Sequence, residues 1–403
     1  MALLSACAGD DDAVEPVASR QCAPLVYEGD GEPDVIVVSD LPRRGVGAET
    51  AEQMIGAIEF VLRKRGFAAG ERRVGYQACN DTVGEEPYDP GLCRRNARAY
   101  VEAESVLGVI GPWNSGCAFE QVPIVSRRDA GPLAMISPSN THPGLTLDGG
   151  LSPDGVRSYA RVVPQDFTQG AAAAYLARRL GARRAVVLEA RTDPDYVQSL
   201  VRPFAATSRR LGLETVRLDW PVEDNYSTLS DSVARARPDI VYLGGPTQDN
   251  AQRLVAALRT RLPPEVELIA PDSFASSVVA RQIGPAGDGI FVTNSSLPDE
   301  LRPPAGRRFI REFGRSSDEP VFLGAPEAAQ AAEVLLDAIA RSDGSRTSVV
   351  QELFATRVEH GILGSFGFDR FGDIDPAPIG VYRFEGGRIV GYGVVRTPTE
   401  RED

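Results

Sequence analysis

VLGVIGPWNSGCAFEQVPIVSRRDAGPLAMISPSNTHPGLT, residues Val106–Thr146, holds two short apolar runs that each break into a loop of small polar residues. Val106–Ile110 and Leu133–Ile136 are too short for helices, and Cys117–Arg128 between them carries helical spacing, so the unit reads strand, helix, strand. A right-handed crossover makes the two strands parallel. The loops Asn114-Ser115-Gly116 and Ser139-Asn140-Thr141 are then expected side by side. In an open parallel sheet, ligands bind outside the carboxyl ends of the strands, where loops and helix N-termini offer N–H groups and hydroxyls. Such a place suits a carboxylate.

Outward from this segment the alternation continues in both directions. Before it lie a strand at Val35–Ser39, an amphipathic helix at Ala48–Arg65, a strand at Arg73–Gln77 and a helix at Arg94–Glu104. A second series begins around Tyr159–Pro164. It runs through helices at Phe167–Leu180, Val197–Leu211, Thr228–Ala236 and Asp249–Arg261, separated by strands at Ala185–Glu189, Thr215–Leu218, Ile240–Gly244 and Glu267–Ala270. After a strand at Gly289–Thr293 and a Pro-rich connection at Pro298–Pro304, a long helix is predicted over Pro326–Arg341. Its Ala328, Ala332, Leu335, Leu336 and Ile339 fall on one face, as a core helix requires. The chain ends in short strands at Phe366–Phe368, Ile379–Phe384 and Ile389–Val394, the last two joined by a hairpin at Glu385-Gly386-Gly387. The fold class is α/β with two doubly wound parallel sheets. A length of 403 residues fits two such domains, at roughly 100 to 200 residues each.

The balance of 43 basic against 56 acidic residues, a net charge of -13, argues against a nucleic-acid surface, which needs clustered cations. No apolar run is long enough to span a bilayer. Leu4-Ser5-Ala6-Cys7 has the form of a bacterial lipoprotein signal, with Cys7 as the lipidated residue and 1–34 as signal remnant plus a tether rich in Asp, Glu, Gly and Pro. Membrane association is expected only through that lipid, on the outer face of the cell membrane. Setting Cys7 aside leaves Cys22, Cys79, Cys93 and Cys117, an even set expected to form disulfides outside the cytoplasm, with three pairings open. Cys79 and Cys93 bracket Asn80–Leu92, a loop long enough to want a staple. Their wide spacing does not suit zinc, and no metal or cofactor is expected. Nor is catalysis. The only histidines are His142 and His360, and the chain has no GxSxG elbow, no Walker loop and no GxGxxG fingerprint after its first strand.

Several residues carry two readings. Ser115, Ser139 and Thr141 suit a ligand carboxylate, or they cap turns and helices. Asp272 has a functional reading beside that of a cap for the helical run behind it. Tyr196 contacts ligand or stands at a helix start, and Trp113 lines a pocket or seals a loop. Asn114 binds ligand or holds a left-handed backbone. Asn140 completes the second loop, and His142 beside it reads as a loop hydrogen bonder.

The order and spacing of VIGPWNSG, ISPSNTHPGLT, VVLEARTDPDY, DIVYLGG and LIAPDSF resemble the type I periplasmic solute-binding proteins, in the leucine/isoleucine/valine-binding branch that serves ABC transporters. The resemblance spans about Val35 to Val394. It implies two lobes, 35–162 plus 293–362 and 163–292 plus 363–397, joined by crossovers near Val162–Pro164, Phe291–Asn294 and Gly361–Ser365. It implies a monomer that traps an amino acid or related carboxylate or amide between the lobes and hands it to ABC permease subunits. A sensor that uses the same clamp to signal to a membrane partner is the alternative. By the same resemblance Ser115, Ser139 and Thr141 hold the ligand α-carboxylate, Tyr196 touches the ligand backbone and Asp272 accepts the ammonium. This chain departs from the pattern at Pro246, where an aromatic residue is common, and at Pro112 and Trp113, which change one wall of the pocket.

Overall fold

A computed structural model of the chain describes residues 14–45, 47–128, 131–147, 151–316, 320–321 and 323–397; Cys7 lies outside them. The first stretch alternates β1 (Val35–Asp40), α1 (Ala48–Lys64), β2 (Ala68–Ala69), β3 (Arg72–Cys79), α2 (Pro90–Glu102), β4 (Val106–Ile110), α3 (Ser115–Val125), β5 (Ala134–Ser137) and β6 (Tyr159–Arg161). The second runs α4 (Asp166–Arg179), β7 (Arg184–Ala190), α5 (Pro194–Arg210), β8 (Glu214–Trp220), α6 (Ser227–Arg235), β9 (Ile240–Gly244), α7 (Ala251–Arg261), β10 (Glu267–Ala270), α8 (Ser277–Ile283), β11 (Phe291–Asn294) and α9 (Pro304–Phe313). Then come α10 (Ala325–Arg341) and α11 (Arg346–Phe354), followed by β12 (Arg357–Gly361), β13 (Gly364–Phe368), β14 (Ile374–Asp375), β15 (Ile379–Glu385) and β16 (Arg388–Val395).

These elements form two compact units. The first comprises Met1–Pro138, Asp148–Ala160 and Gly324–Thr356; the second comprises Ser139–Leu147, Arg161–Leu323 and Arg357–Asp403. The first unit's sheet has the order β2-β3-β1-β4-β5-β6, and β3, β1, β4 and β5 run parallel. β4 is buried along its whole length, as a parallel strand covered on both faces must be. α10 returns to this unit and packs on α1, burying the predicted face. It is capped where the Glu327 carboxylate accepts the Gly324 N–H at 3.1 Å. The second unit's sheet has the order β16-β15-β11-β10-β9-β7-β8, parallel from β11 to β8 and closed by the antiparallel hairpin β15-β16. A small antiparallel sheet, β12-β13-β14, completes that unit.

The elements and their boundaries differ from the sequence reading in several places. Tyr159–Arg161, expected to open the second series, is the edge strand of the first sheet. β11 lies inside the second sheet, so the compact units change at Leu323 and Gly324 rather than near Phe291–Asn294. The connection at Pro298–Pro304 ends in α9, because proline at a first helical position removes no intrahelical hydrogen bond. Finally, the segment expected as a solvated tether is docked over part of its length. Val17 is buried, with its N–H on Gln77 Oε1 at 2.7 Å, and the main chain of Ala23 and Val26 pairs with Ala78 and Tyr76. Main-chain pairing of this kind needs no side-chain periodicity and leaves little trace in a sequence.

The disulfides are Cys22–Cys79 and Cys93–Cys117. The first pins the docked segment to the end of β3. The second ties α2 to α3, so the Asn80–Leu92 loop is not stapled across its own ends as expected.

Candidate functional site

In each sheet the direction of winding reverses once, and the crevice at such a reversal is where an open α/β sheet receives ligands. In the first unit the reversal falls between β1 and β4, since β3 lies beyond one and β5 beyond the other. The loop after β4 carries Trp113, Asn114 and Ser115. Trp113 is half-buried against Gly47, the left-handed N-cap of α1, where an added Cβ would come within 3.0 Å of the indole. Asn114 has an extended backbone, not the left-handed one expected, and its Oδ1 accepts the Gly116 N–H at 2.7 Å as the N-cap of α3. Ser115 is the first residue of α3 and is half-buried. The corner therefore offers a helix start, which favours an anion.

Beneath that corner lies an acid pair. Asp40 ends β1 with no exposed surface, accepting from Asn96 Nδ2 at 3.0 Å and from Gln121 Nε2. Burial raises its carboxyl to about 6, against the lowering effect of those amides. Asp81 is as deeply buried, and among the described residues neither of its carboxylate oxygens has a hydrogen-bond partner. Desolvation, and next the charge of Asp40, push it up to about 8.

In the second unit the reversal falls between β7 and β9. Here Tyr196 stands in the first turn of α5, its N–H held by the N-cap Asp193, and Asp272 follows β10. The Tyr196 hydroxyl donates to Asp272 Oδ1 at 2.7 Å, and Gln169 Nε2 donates to the same oxygen at 3.2 Å. Gln169 also reaches the carbonyl of Thr293 at 3.1 Å. Asp272 does not cap the helix behind it; Ser276 does, through the Val278 N–H.

Asp166, which sequence reasoning missed, completes the cluster. It opens α4 with 1% exposure, accepting from Ser199 Oγ at 2.9 Å, and its Oδ1 has no partner. The Asp166 N–H donates to the Thr141 carbonyl at 2.9 Å, and the Thr141 side chain acts to lower the Asp166 pKa. α4 can carry it against α5 because Gly170 lies on the Leu200 carbonyl, 2.1 Å from where a Cβ would stand. Burial, then the charge of Asp272, raise Asp166 to about 7. Burial also raises Asp272, partly offset by the Tyr196 and Gln169 hydrogen bonds. The Gln169 Oε1 and Tyr242 hydroxyl oxygen are buried without partners too. A cluster of acceptors of this kind is suited to a cation.

Ser139, Asn140 and Thr141 belong to this second unit, although β5, which precedes them, is paired with β4. The segment is strapped by Arg161, a fully buried guanidinium that bonds the carbonyls of Asn140 at 3.2 Å and His142 at 2.8 Å and pairs with Asp373 at 2.5 Å. His142 Nδ1 accepts the Gly144 N–H at 3.0 Å, and burial lowers its pKa. The structure thus brings Thr141, Tyr196 and Asp272 together around Asp166, and places Trp113, Asn114 and Ser115 together in the other unit. An open groove of about 460 Å³ lined by Thr247, Gln248, Asn250 and Gln282 holds none of the predicted ligand residues. Among the described residues, no group of three or more His, Cys, Asp or Glu could hold a metal, and no helix is long and apolar enough to cross a membrane.

Comparison with known proteins gives a consistent answer. A leucine-binding protein from Thermotoga maritima is similar over 90% of this chain and 99% of its own, at 23% identity and a TM-score of 0.73. A substrate-binding protein of an ABC transporter from Desulfitobacterium hafniense, solved with leucine, is 20% identical over 89% of this chain and 99% of its own, with a TM-score of 0.74. A solute-binding protein from R. palustris, solved with benzoate, is 19% identical over 91% and 98%, with a TM-score of 0.71. At such identities the likeness establishes the two-sheet α/β fold. A sequence comparison with curated proteins finds no match. The family model described as periplasmic binding protein matches residues 45–375, most of the chain, and the chain belongs to that family.

Proposed function

We propose that this protein is an extracytoplasmic solute-binding protein that captures a small amino acid, or a related amide or carboxylate bearing an amino group, and delivers it unchanged to an ABC importer. In this reading the two compact units are the lobes of a clamp, Cys7 carries the lipid that holds the protein at the outer face of the membrane, and permease subunits are its partners. Ser115 and the start of α3 take the ligand carboxylate. Asp272, Tyr196 and Asp166 take its ammonium.

The observation that carries the choice of ligand is the acid pair Asp166 and Asp272, with acceptor oxygens unfilled around it. Benzoate, the ligand of the R. palustris relative, has no cation to set against two buried carboxylates. Leucine, the ligand of the Desulfitobacterium hafniense relative, has one. The test is a thermal-shift panel of the twenty amino acids, their primary amides and a series of benzoates. At a hundredfold excess over its dissociation constant, the true ligand stabilises the native state by about 2.7 kcal/mol. Stabilisation by an amino acid or its amide is the expected result; stabilisation by benzoates alone would overturn the ligand class.

A further inference from the structure

The first unit holds an aromatic residue that the sequence reading passed over. Tyr88 lies in the loop before α2 and reaches across to the first turn of α3. A Cβ built on Gly116 would stand 2.3 Å from the Tyr88 hydroxyl oxygen and 2.3 Å from the ring carbon that bears it. The phenol therefore occupies the space that any side chain at position 116 would fill, in the first turn of α3, which Ser115 opens. Glycine at 116 is what admits it.

Three observations make this more than packing. Tyr88 is only half-buried, and among the described residues its hydroxyl has no hydrogen-bond partner. Trp113, two residues before Ser115 in the same loop, is seated on Gly47. Asn114 takes up the Gly116 N–H, so a ligand carboxylate here gains from a further donor. A phenol O–H can supply it, and a hydrogen bond to a charged group is worth more than one between neutral groups.

Resting on the amino-acid reading above, we infer that Tyr88 is a ligand-contacting, specificity-determining residue: its hydroxyl donates to the carboxylate held beside Ser115, and its ring, with Trp113, limits what fits there. The cradle distinguishes a carboxylate from a carboxamide, because the amide presents one acceptor oxygen and two N–H groups to a set of donors.

The experiment titrates wild type, Tyr88→Phe and Gly116→Ala with whichever of the twenty amino acids stabilises wild type most, and with its primary amide. Tyr88→Phe keeps the ring and removes the donor. It is expected to weaken the amino acid about tenfold or more and the amide about threefold or less, with an unchanged melting temperature without ligand. Gly116→Ala displaces the phenol and should reproduce the loss for the amino acid; circular dichroism confirms that each variant is folded. Unchanged amino-acid affinity in Tyr88→Phe, or equal losses for acid and amide, overturns the role of Tyr88 while leaving the amino-acid reading intact. Absence of any amino-acid binding by wild type overturns that reading, and this inference with it.

Discussion

Each unit buries a pair of aspartates near the reversal of its sheet, yet the two pairs are built for different ends. Asp40 and Asp81 in the first unit have no exposed surface, and Asp40 is satisfied from within by Asn96 and Gln121. Asp166 and Asp272 in the second are bound by hydroxyl and amide donors from α4 and α5, and Asp272 remains half-buried. Both pairs have raised carboxyls. A perturbed carboxylate therefore does not by itself mark a binding site; the second pair differs in that Asp272 keeps access to solvent. The first pair orders the interior beneath α2 and α3, and in the proposed reading the second pair takes the ligand ammonium.

The largest test of that contrast exchanges one residue from each pair. Asp272→Ala removes the acceptor shared by Tyr196 and Gln169 and, in the proposed reading, by the ligand ammonium. The expected loss of amino-acid binding is about 3 kcal/mol, at least a hundredfold in affinity by calorimetric titration. Asp81→Asn should leave affinity within about twofold. Comparable losses in both variants would erase the distinction between the pairs.

The pairs also predict opposite experimental signatures with pH. Asp81 carries a carboxyl raised to about 8 in the folded protein, against an unfolded value of 3.8. The native state thus keeps a proton that the unfolded chain has released, so this group's contribution to stability is greatest below pH 4 and declines as pH rises toward 8. Asp81→Asn holds the group neutral, and its melting temperature should decline less than that of wild type between pH 5 and 8, the remaining decline coming from Asp40 and Asp166. A decline of the same size in the variant would assign it elsewhere. Asp166, raised to about 7, is expected to make its mark on binding as well. An ammonium ligand favours the ionised acid, so affinity should rise with pH between 5 and 7. Binding at pH 6 should release protons, seen as a dependence of the calorimetric heat on buffer ionisation enthalpy.

The parts of the fold legible in the sequence are those with strong periodicity. The buried strands β4, β9 and β10 and the core face of α10 have the positions that their apolar pattern requires. Elements held by main-chain pairing or by brief helical turns left weaker traces, as with the docked Val17–Val26 segment, β6, α8 and α11. Tyr196 and Asp272 stand in strings that resemble a known family, and the structure joins them by a hydrogen bond. Asp166 looked like any acid opening a helix, and its partner Ser199 lies 33 residues away on another helix. Tyr88 sat in a loop with no periodicity, and only the three-dimensional closeness of Gly116 gives it meaning.

The smallest effect separates a cap from a ligand residue within the first unit. Asn114 was open to both readings, and its Oδ1 accepts the Gly116 N–H at the start of α3. Asn114→Ala should cost about 1 kcal/mol of stability in urea denaturation, the usual consequence of losing an N-cap. The same change frees one N–H at a helix start that favours anions, so the affinity for a carboxylate ligand should stay level or rise slightly. Stability and affinity would then move independently, as they must if Asn114 shapes the corner and Ser115 and Tyr88 fill it. A tenfold loss of affinity without loss of stability would instead make Asn114 a ligand group, and the first unit's site would extend one residue further along the loop.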